Sequence, residues 1–265
     1  MYTTQHFFNL AKLAYETPSP GKTTEEIFEN VPNLRDVYSF DAYTLGAGSD
    51  AQYYGLVFDD SIVYAMRGTS SMYDTLADSR FYLREFDDIK EAKNGTSVRV
   101  HSGFLSQHTS IKASITSSLI CRAMTKDGSS RKRVIFVGHS LGGALATLAA
   151  ASTKARYPQL FVECITFGSP RVGNVAFSAF FDTIMNRSVR CVNANDKVTK
   201  NPSLFYSHVG GEFRIGDQSP SWFLSFFGSV ADHRLDGYEK ALQDDTKKSE
   251  SKNLGIKDMF IREGK

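Results

Sequence analysis

The chain has 265 residues, a length typical of one α/β domain, and we expect residues 1–265 to form a single domain with a well-buried core. Its 31 Lys and Arg residues against 29 Asp and Glu leave a net charge of +2, which is too balanced to favour nucleic acid as a partner. The three cysteines (Cys121, Cys164 and Cys191) are odd in number and do not suggest a disulfide framework.

The N-terminal stretch lacks a basic start, and Asn9 and Lys12 interrupt its apolar residues. We therefore predict an amphipathic helix there and not a signal peptide. No segment approaches the ~20 apolar residues that span a bilayer, so we expect a soluble protein without a transmembrane segment. Without a leader or a paired cysteine set, an intracellular (cytoplasmic) location is favoured over secretion.

Apolar, β-branched runs predict strands, and runs with helical periodicity separate them. Strands are predicted at residues 52–58, 61–65, 133–138, 162–167, 188–193 and 209–215. Helices are predicted at residues 103–125, 141–156, 176–185 and 234–243. From residue 133 onward strands and helices alternate, which is typical of a mostly parallel central sheet flanked by helices. The polar tail, residues 244–265, is expected to be solvated or loosely packed.

The stretch VIFVGHSLGGALATLAAA places Ser140 between an apolar strand and an Ala/Leu-rich helix. Gly138 and Gly142 flank the serine at positions where the two backbones would come close, so side chains there would clash. This context favours a nucleophile elbow, in which a strained turn presents a reactive serine. The alternative is an ordinary strand-to-helix turn in which Ser140 caps the helix.

A serine nucleophile needs a histidine base and an acid that orients the histidine. In folds with a nucleophile elbow, the acid follows the serine along the chain and the histidine follows the acid. Two histidines follow Ser140, and we favour His233, before a predicted helix, over His208, which looks structural. The candidate acids are Glu163, Asp182, Asp196, Glu212, Asp217 and Asp232. We favour Asp196 because it directly follows a predicted strand, and catalytic residues collect at the carboxyl ends of strands.

With these residues in place, the chain resembles the class 3 lipases, the filamentous-fungal triacylglycerol lipase family of α/β-hydrolases. The resemblance rests on ordered motifs between about residues 52 and 243: IVYAMRGTSS, VHSGF, VIFVGHSLGGALA, TFGSPRVGN, RCVNANDKV, YSHVGGEFRI and DHRLDGY. The triad of that family falls on Ser140, Asp196 and His233. His101 in VHSGF matches a family position and is interpreted as structural.

The resemblance also implies an oxyanion hole and a lid. The oxyanion donors would be the backbone N–H groups of Thr69 and Leu141. A short helical lid would lie at about residues 70–86, with Met72, Tyr73 and Leu76 on its apolar face. Trp222 and Phe223 would line an acyl-chain groove, although a place in the core is an equal alternative.

We therefore expect a carboxylic ester hydrolase acting through an acyl-enzyme, with an acylglycerol as substrate, either dispersed or at a lipid–water interface. The alternatives are a phospholipase A1, a soluble-ester (feruloyl-type) esterase, or a non-catalytic lipase-like binding module. No Cys/His cluster with metal spacing and no Gly-rich phosphate loop is seen, so we expect no metal and no cofactor. We expect a monomer.

Overall fold

A seven-stranded sheet organises the computed structural model, which describes residues 3–20, 22–42, 49–68, 82–89, 95–122, 133–194, 196–216 and 230–251. The strands are β1 (Asp36–Asp41), β2 (Gln52–Val57), β3 (Ser61–Met66), β4 (Leu83–Glu85), β5 (Arg99–His101), β6 (Arg133–His139), β7 (Phe161–Phe167), β8 (Arg187–Asn193) and β9 (Gly211–Ile215). The helices are α1 (Thr4–Leu13), α2 (Thr24–Ile27), α3 (Ser102–Arg122), α4 (Leu141–Arg156), α5 (Val175–Ile184), α6 (Val230–His233) and α7 (Leu235–Ser251), with a 3₁₀ helix at Val198–Lys200.

The sheet has the order β1-β2-β3-β6-β7-β8-β9. Strands β1, β2 and β3 pair antiparallel, whereas every neighbour from β3 to β9 is parallel. Strands β4 and β5 form a separate antiparallel pair. The prediction of an α/β fold with a mostly parallel central sheet is confirmed.

Both faces of the sheet are buried, and the alternation of side chains along β6 shows how. Val134 and Phe136 belong to the core layer that contains α3 and α4, while Ile135 and Val137 belong to the layer that contains α1 and α7. A parallel sheet covered on both faces needs such uniformly apolar strands. Within the described ranges, no helix is both long enough and apolar enough to cross a bilayer.

Several features differ from the sequence prediction by more than a one-residue shift. Strand β9 begins at Gly211 and not at residue 209, because Gly210 has φ +66°, a conformation outside the strand region. Helix α7 continues to Ser251, so residues 244–251 are helical and not a loose tail. Residues 83–85 form β4, paired with β5, so the predicted helical lid does not extend over them. The short strand β1 was not predicted, because it lies at the sheet edge and Val37 is its one buried residue.

The turn between β6 and α4 is strained in the way that the sequence predicted. Ser140 has φ +59° and ψ −127°, which a residue other than glycine rarely adopts. A Cβ at Gly138 would lie 2.3 Å from the carbonyl carbon of Gly142, and one at Gly142 would lie 2.3 Å from the carbonyl oxygen of Met66. The Ser140 side chain makes no capping bond to α4, so the alternative of an ordinary helix cap is wrong.

Helix α3 carries a histidine buried in the core. His108 is fully buried, and neither ring nitrogen has a hydrogen-bond partner among the described residues. Burial lowers the pKa of His108 to about 4 from an ordinary value of 6.5. Between these two pH values the unfolded chain binds a proton that the folded chain does not, so stability falls as the pH falls through this interval.

We predict that replacing His108 by Leu makes the protein less sensitive to acid. The wild type should lose stability relative to His108→Leu by about 1.4 kcal/mol for each pH unit between 6.5 and 4. Urea unfolding at several pH values from 7.5 to about 4 measures this difference. Parallel pH dependence of the two proteins would contradict it.

We also predict that Gly138→Ala severely destabilises the β6–α4 turn, because the added methyl group meets backbone atoms that cannot rotate away. The expected cost is about 3 kcal/mol or more in urea unfolding, at the upper end for overpacking. Gly211→Ala is the matched control, since a Cβ there has its nearest neighbour at 3.8 Å. Equal costs for the two variants would refute this steric explanation.

Candidate active site

Three side chains far apart in sequence form a continuous line of hydrogen bonds. The Ser140 hydroxyl lies 2.7 Å from His233 Nε2, and His233 Nδ1 lies 2.9 Å from Asp196 Oδ2. Ser140, His233 and Asp196 are 2%, 5% and 1% exposed. The structure therefore brings together the three residues that the sequence analysis selected.

The parallel sheet explains why they meet. Ser140 follows β6 and Asp196 follows β8, so both lie at the edge where the parallel strands end. His233 is the last residue of the one-turn helix α6, not part of a loop as predicted, and it reaches this edge directly before α7. Ligands and catalytic groups of open α/β sheets collect at this carboxyl edge.

The other candidate acids have different partners. Glu163 is buried and pairs with Arg133 and Arg187. Asp182 accepts a hydrogen bond from the backbone of Gly210, and Glu212 pairs with Arg190 and Arg214. Asp232 contributes its backbone carbonyl, which accepts from the Asn193 side chain. Asp217 lies outside the described residues.

The carboxylate of Asp196 is held by three donors. Its Oδ1 accepts the backbone N–H of Val198 at 2.9 Å, and its Oδ2 accepts both His233 Nδ1–H and the Tyr238 hydroxyl, the latter at 2.8 Å. Burial and the neighbouring carboxylate raise the pKa of Tyr238, so its hydroxyl remains a donor. The orientation of the carboxylate is thereby fixed.

These partners assign the proton on His233. A carboxylate only accepts hydrogen bonds, so Nδ1 of the neutral ring carries the hydrogen. Its Nε2 is then free to accept the proton of the Ser140 hydroxyl. Chemically, this arrangement allows a buried serine oxygen to be deprotonated as it attacks an electrophile.

Several residues of this site were missed by the sequence analysis. Tyr238 lies five residues beyond His233, in α7 and in the motif DHRLDGY, and this proximity in sequence is the local signal for it. Gly168 has φ +60°, and a Cβ there would lie 2.9 Å from Asp196 Oδ2 and 3.1 Å from His233 Cε1. His139 hydrogen-bonds the backbone carbonyl of His233, and its ring lies beside the His233 ring. No sequence pattern had pointed to this contact.

Of the remaining residues that the sequence analysis singled out, three are described by the structure and six are not. Leu141 is buried and is the first residue of α4, where backbone N–H groups lack an intrahelical acceptor. His208 lies apart from Ser140 and donates to the Thr199 carbonyl at 2.5 Å, while His101 Nδ1 accepts from the backbone of Gly103 at the start of α3. Six predicted site residues lie outside the described residues: Thr69, Met72, Tyr73, Leu76, Trp222 and Phe223.

The chain is similar to named lipases and phospholipases. It is 30% identical over 223 residues to phospholipase A1-Igamma2, chloroplastic, of Arabidopsis thaliana, covering 67% of this chain and 42% of that protein. It is 29% identical over 155 residues to secreted mono- and diacylglycerol lipase 1 of Fusarium solani, covering 57% of this chain and 43% of that protein. The chain spans less than half the length of the curated relatives that it matches.

Solved structures and a family model agree with this similarity. Lipase II from Rhizopus niveus superposes with a TM-score of 0.68 at 25% identity, covering 86% of this chain and 91% of that one. The family described as Lipase (class 3) matches residues 63–206, more than half of the sequence and the part that contains the β6–α4 turn. With the sheet order and the strained turn at Ser140, this match shows that the chain belongs to the class 3 lipase family, with the α/β-hydrolase fold.

Proposed function

We propose that this protein hydrolyses carboxylic esters, with Ser140 as nucleophile, His233 as general base and acid, and Asp196 as the residue that orients His233. The observation that carries the proposal is the continuous hydrogen-bonded line from Ser140 through His233 to Asp196, starting at a strained turn. All three residues come from one chain, so we propose that the active unit is a monomer.

In the first half of the reaction, Ser140 Oγ attacks the ester carbonyl carbon while His233 Nε2 takes the hydroxyl proton. The tetrahedral intermediate collapses, and His233 returns that proton to the leaving alcohol, which leaves an acyl group on Ser140. In the second half, His233 deprotonates a water that attacks the acyl carbon, and it then returns the proton to Ser140 Oγ as the bond to the acyl carbon breaks and the fatty acid departs. Asp196 stabilises the imidazolium formed in each half.

We propose that the backbone N–H groups of Leu141 and Thr69 stabilise the oxyanion of the tetrahedral intermediate. Leu141 begins α4, whose N-terminal dipole favours a negative charge. Gly68, which precedes Thr69, packs against the same turn: a Cβ at Gly142 would lie 3.0 Å from Gly68 N. Such donors are worth about 3–4 kcal/mol in the transition state when they are already aimed at the oxyanion.

The substrate that we propose is an acylglycerol. The Fusarium relative is named a mono- and diacylglycerol lipase, and similar solved structures are named lipases. Met72, Tyr73, Leu76, Trp222 and Phe223 are proposed as acyl-chain contacts. The second candidate is a phospholipase A1, which is favoured by the names of relatives from Arabidopsis and rice.

We predict that a fluorophosphonate probe labels the wild type at Ser140 and does not label Ser140→Ala. Ser169→Ala is the matched control, because Ser169 is also buried beside the turn but donates to the Pro170 carbonyl. This control should keep its labelling, and Asp196→Asn should label more slowly by about 10³–10⁴-fold. An unlabelled wild type, or equal labelling of Ser140→Ala, would refute the proposal.

A second prediction concerns the substrate class. Emulsified triolein and tributyrin should be hydrolysed with a higher kcat/KM than phosphatidylcholine vesicles or p-nitrophenyl butyrate. Titration of the released fatty acid measures all four rates, and Ser140→Ala provides the background. Faster release of the sn-1 acyl chain from phosphatidylcholine would favour the phospholipase A1, and activity restricted to the soluble ester would favour a plain esterase.

A further inference from the structure

A second buried histidine holds the backbone of His233. His139 Nε2 lies 2.7 Å from the carbonyl oxygen of His233, and the two imidazole rings lie 4.9 Å apart between centroids at an angle of 30°. A carbonyl oxygen only accepts, so Nε2 of His139 carries the hydrogen and donates it. His139 immediately precedes Ser140, so it binds the base from the residue next to the nucleophile.

Tyr15 supports this tautomer of His139 by binding its other ring nitrogen. The Tyr15 hydroxyl lies 2.9 Å from His139 Nδ1, and burial raises the pKa of Tyr15, so the hydroxyl stays protonated. Burial, followed by repulsion from His233, lowers the pKa of His139 to about 3, so its ring is neutral above that pH. A neutral ring that accepts at Nδ1 must donate from Nε2, towards the His233 carbonyl.

The Tyr15 hydroxyl is held tightly in this position. A Cβ at Gly68 would lie 2.2 Å from the Tyr15 hydroxyl oxygen and 2.7 Å from the His139 carbonyl oxygen, so the crevice beyond β3 is filled. The hydroxyl is also 3.3 Å from that carbonyl oxygen, and the Tyr15 backbone is bonded to Lys12 at the end of α1. The side chain of Tyr15 thus links the N-terminal segment to the active site.

His233 needs such external support. It ends a helix of four residues, which has few internal hydrogen bonds to fix its last residue. Bonds from Asn193 to the Asp232 carbonyl and from Arg234 to the Ala231 carbonyl hold its neighbours, whereas His139 binds the carbonyl of His233 itself. A displacement of the imidazole would lengthen its bonds to both Ser140 and Asp196.

We propose that Tyr15 and His139 are positioning residues: Tyr15 stabilises the His139 tautomer that donates to the His233 carbonyl, and this bond keeps the His233 imidazole aligned with Ser140. This inference rests on the ester hydrolase function proposed above. Neither residue touches the reacting atoms. Their effect is on the orientation of the base and hence on kcat, because a misplacement of about 1 Å can cost about 100-fold in rate.

The test compares Tyr15→Phe with Tyr54→Phe. Each variant removes one phenolic hydroxyl, and the Tyr54 hydroxyl donates to the Glu16 carbonyl at 2.7 Å, so it anchors the same segment without contacting His139. On p-nitrophenyl butyrate, Tyr15→Phe should lower kcat about 10- to 100-fold with little change in KM. Tyr54→Phe should keep the wild-type kcat, whatever it costs in thermal stability.

A spectroscopic readout separates positioning from a loss of stability. The low-field proton resonance of the His233 Nδ1–H bonded to Asp196 should shift or broaden in Tyr15→Phe and remain unchanged in Tyr54→Phe. Conservative replacement adds a rescue: His139→Gln retains an N–H donor near the position of Nε2, whereas His139→Leu does not. In the His139→Gln background, Tyr15→Phe should have little effect, because an amide has no tautomer for Tyr15 to stabilise.

The outcomes are distinct. If the wild type hydrolyses esters and Tyr15→Phe and Tyr54→Phe have the same kcat and the same low-field resonance, the positioning role is wrong while the proposed function stands. Equal loss of kcat in His139→Gln and His139→Leu, with an unchanged resonance, also contradicts it. A wild type that is neither labelled nor active overturns the function, and this inference with it.

Discussion

The close approach of two backbones at the β6–α4 turn is the constraint on which the site depends. Gly138 and Gly142 lie so near to each other and to the end of β3 that a single added carbon would meet backbone atoms. This contact holds Ser140 in a strained conformation with positive φ, and its side chain makes no capping bond to the helix N-terminus. The serine hydroxyl is therefore available to His233, and the packing of β6 and α4 in the core offsets the strain.

The helical layer formed by α1 and α7 has a second task besides covering the sheet. Tyr15 follows α1 and reaches His139, while Tyr238 lies in α7 and reaches Asp196. The two helices also contact each other, through the ring stacking of Phe8 on Tyr238 and the Lys12–Glu239 ion pair. One side of the sheet thus supports the other two members of the line of hydrogen bonds, Asp196 through Tyr238 and His233 through His139.

Local sequence patterns predicted most of the sheet and the long helices, because apolar periodicity reports burial directly. Both ends of α4 were predicted correctly. The turn at Ser140 marks its start, and the basic residues Lys154 and Arg156 lie in its last turn. Strand β4 was missed because three residues carry no periodic signal, and its conformation comes from pairing with β5. Helix α7 was predicted too short because its second half is polar and lacks an apolar pattern. The helix continues there from a first half that packs into the core through Leu235 and Tyr238.

The sequence by itself determined the nucleophile, because the glycines, the strand and the helix that identify Ser140 all lie within a short stretch of chain. It also narrowed the base and the acid to a few residues by chain order. Tertiary structure alone decided how these groups are held: Tyr238 is 42 residues from Asp196, Tyr15 is 124 from His139, and His139 is 94 from His233. Hydrogen bonds over such separations depend on how helices dock on the sheet, and no local pattern of residues encodes that geometry.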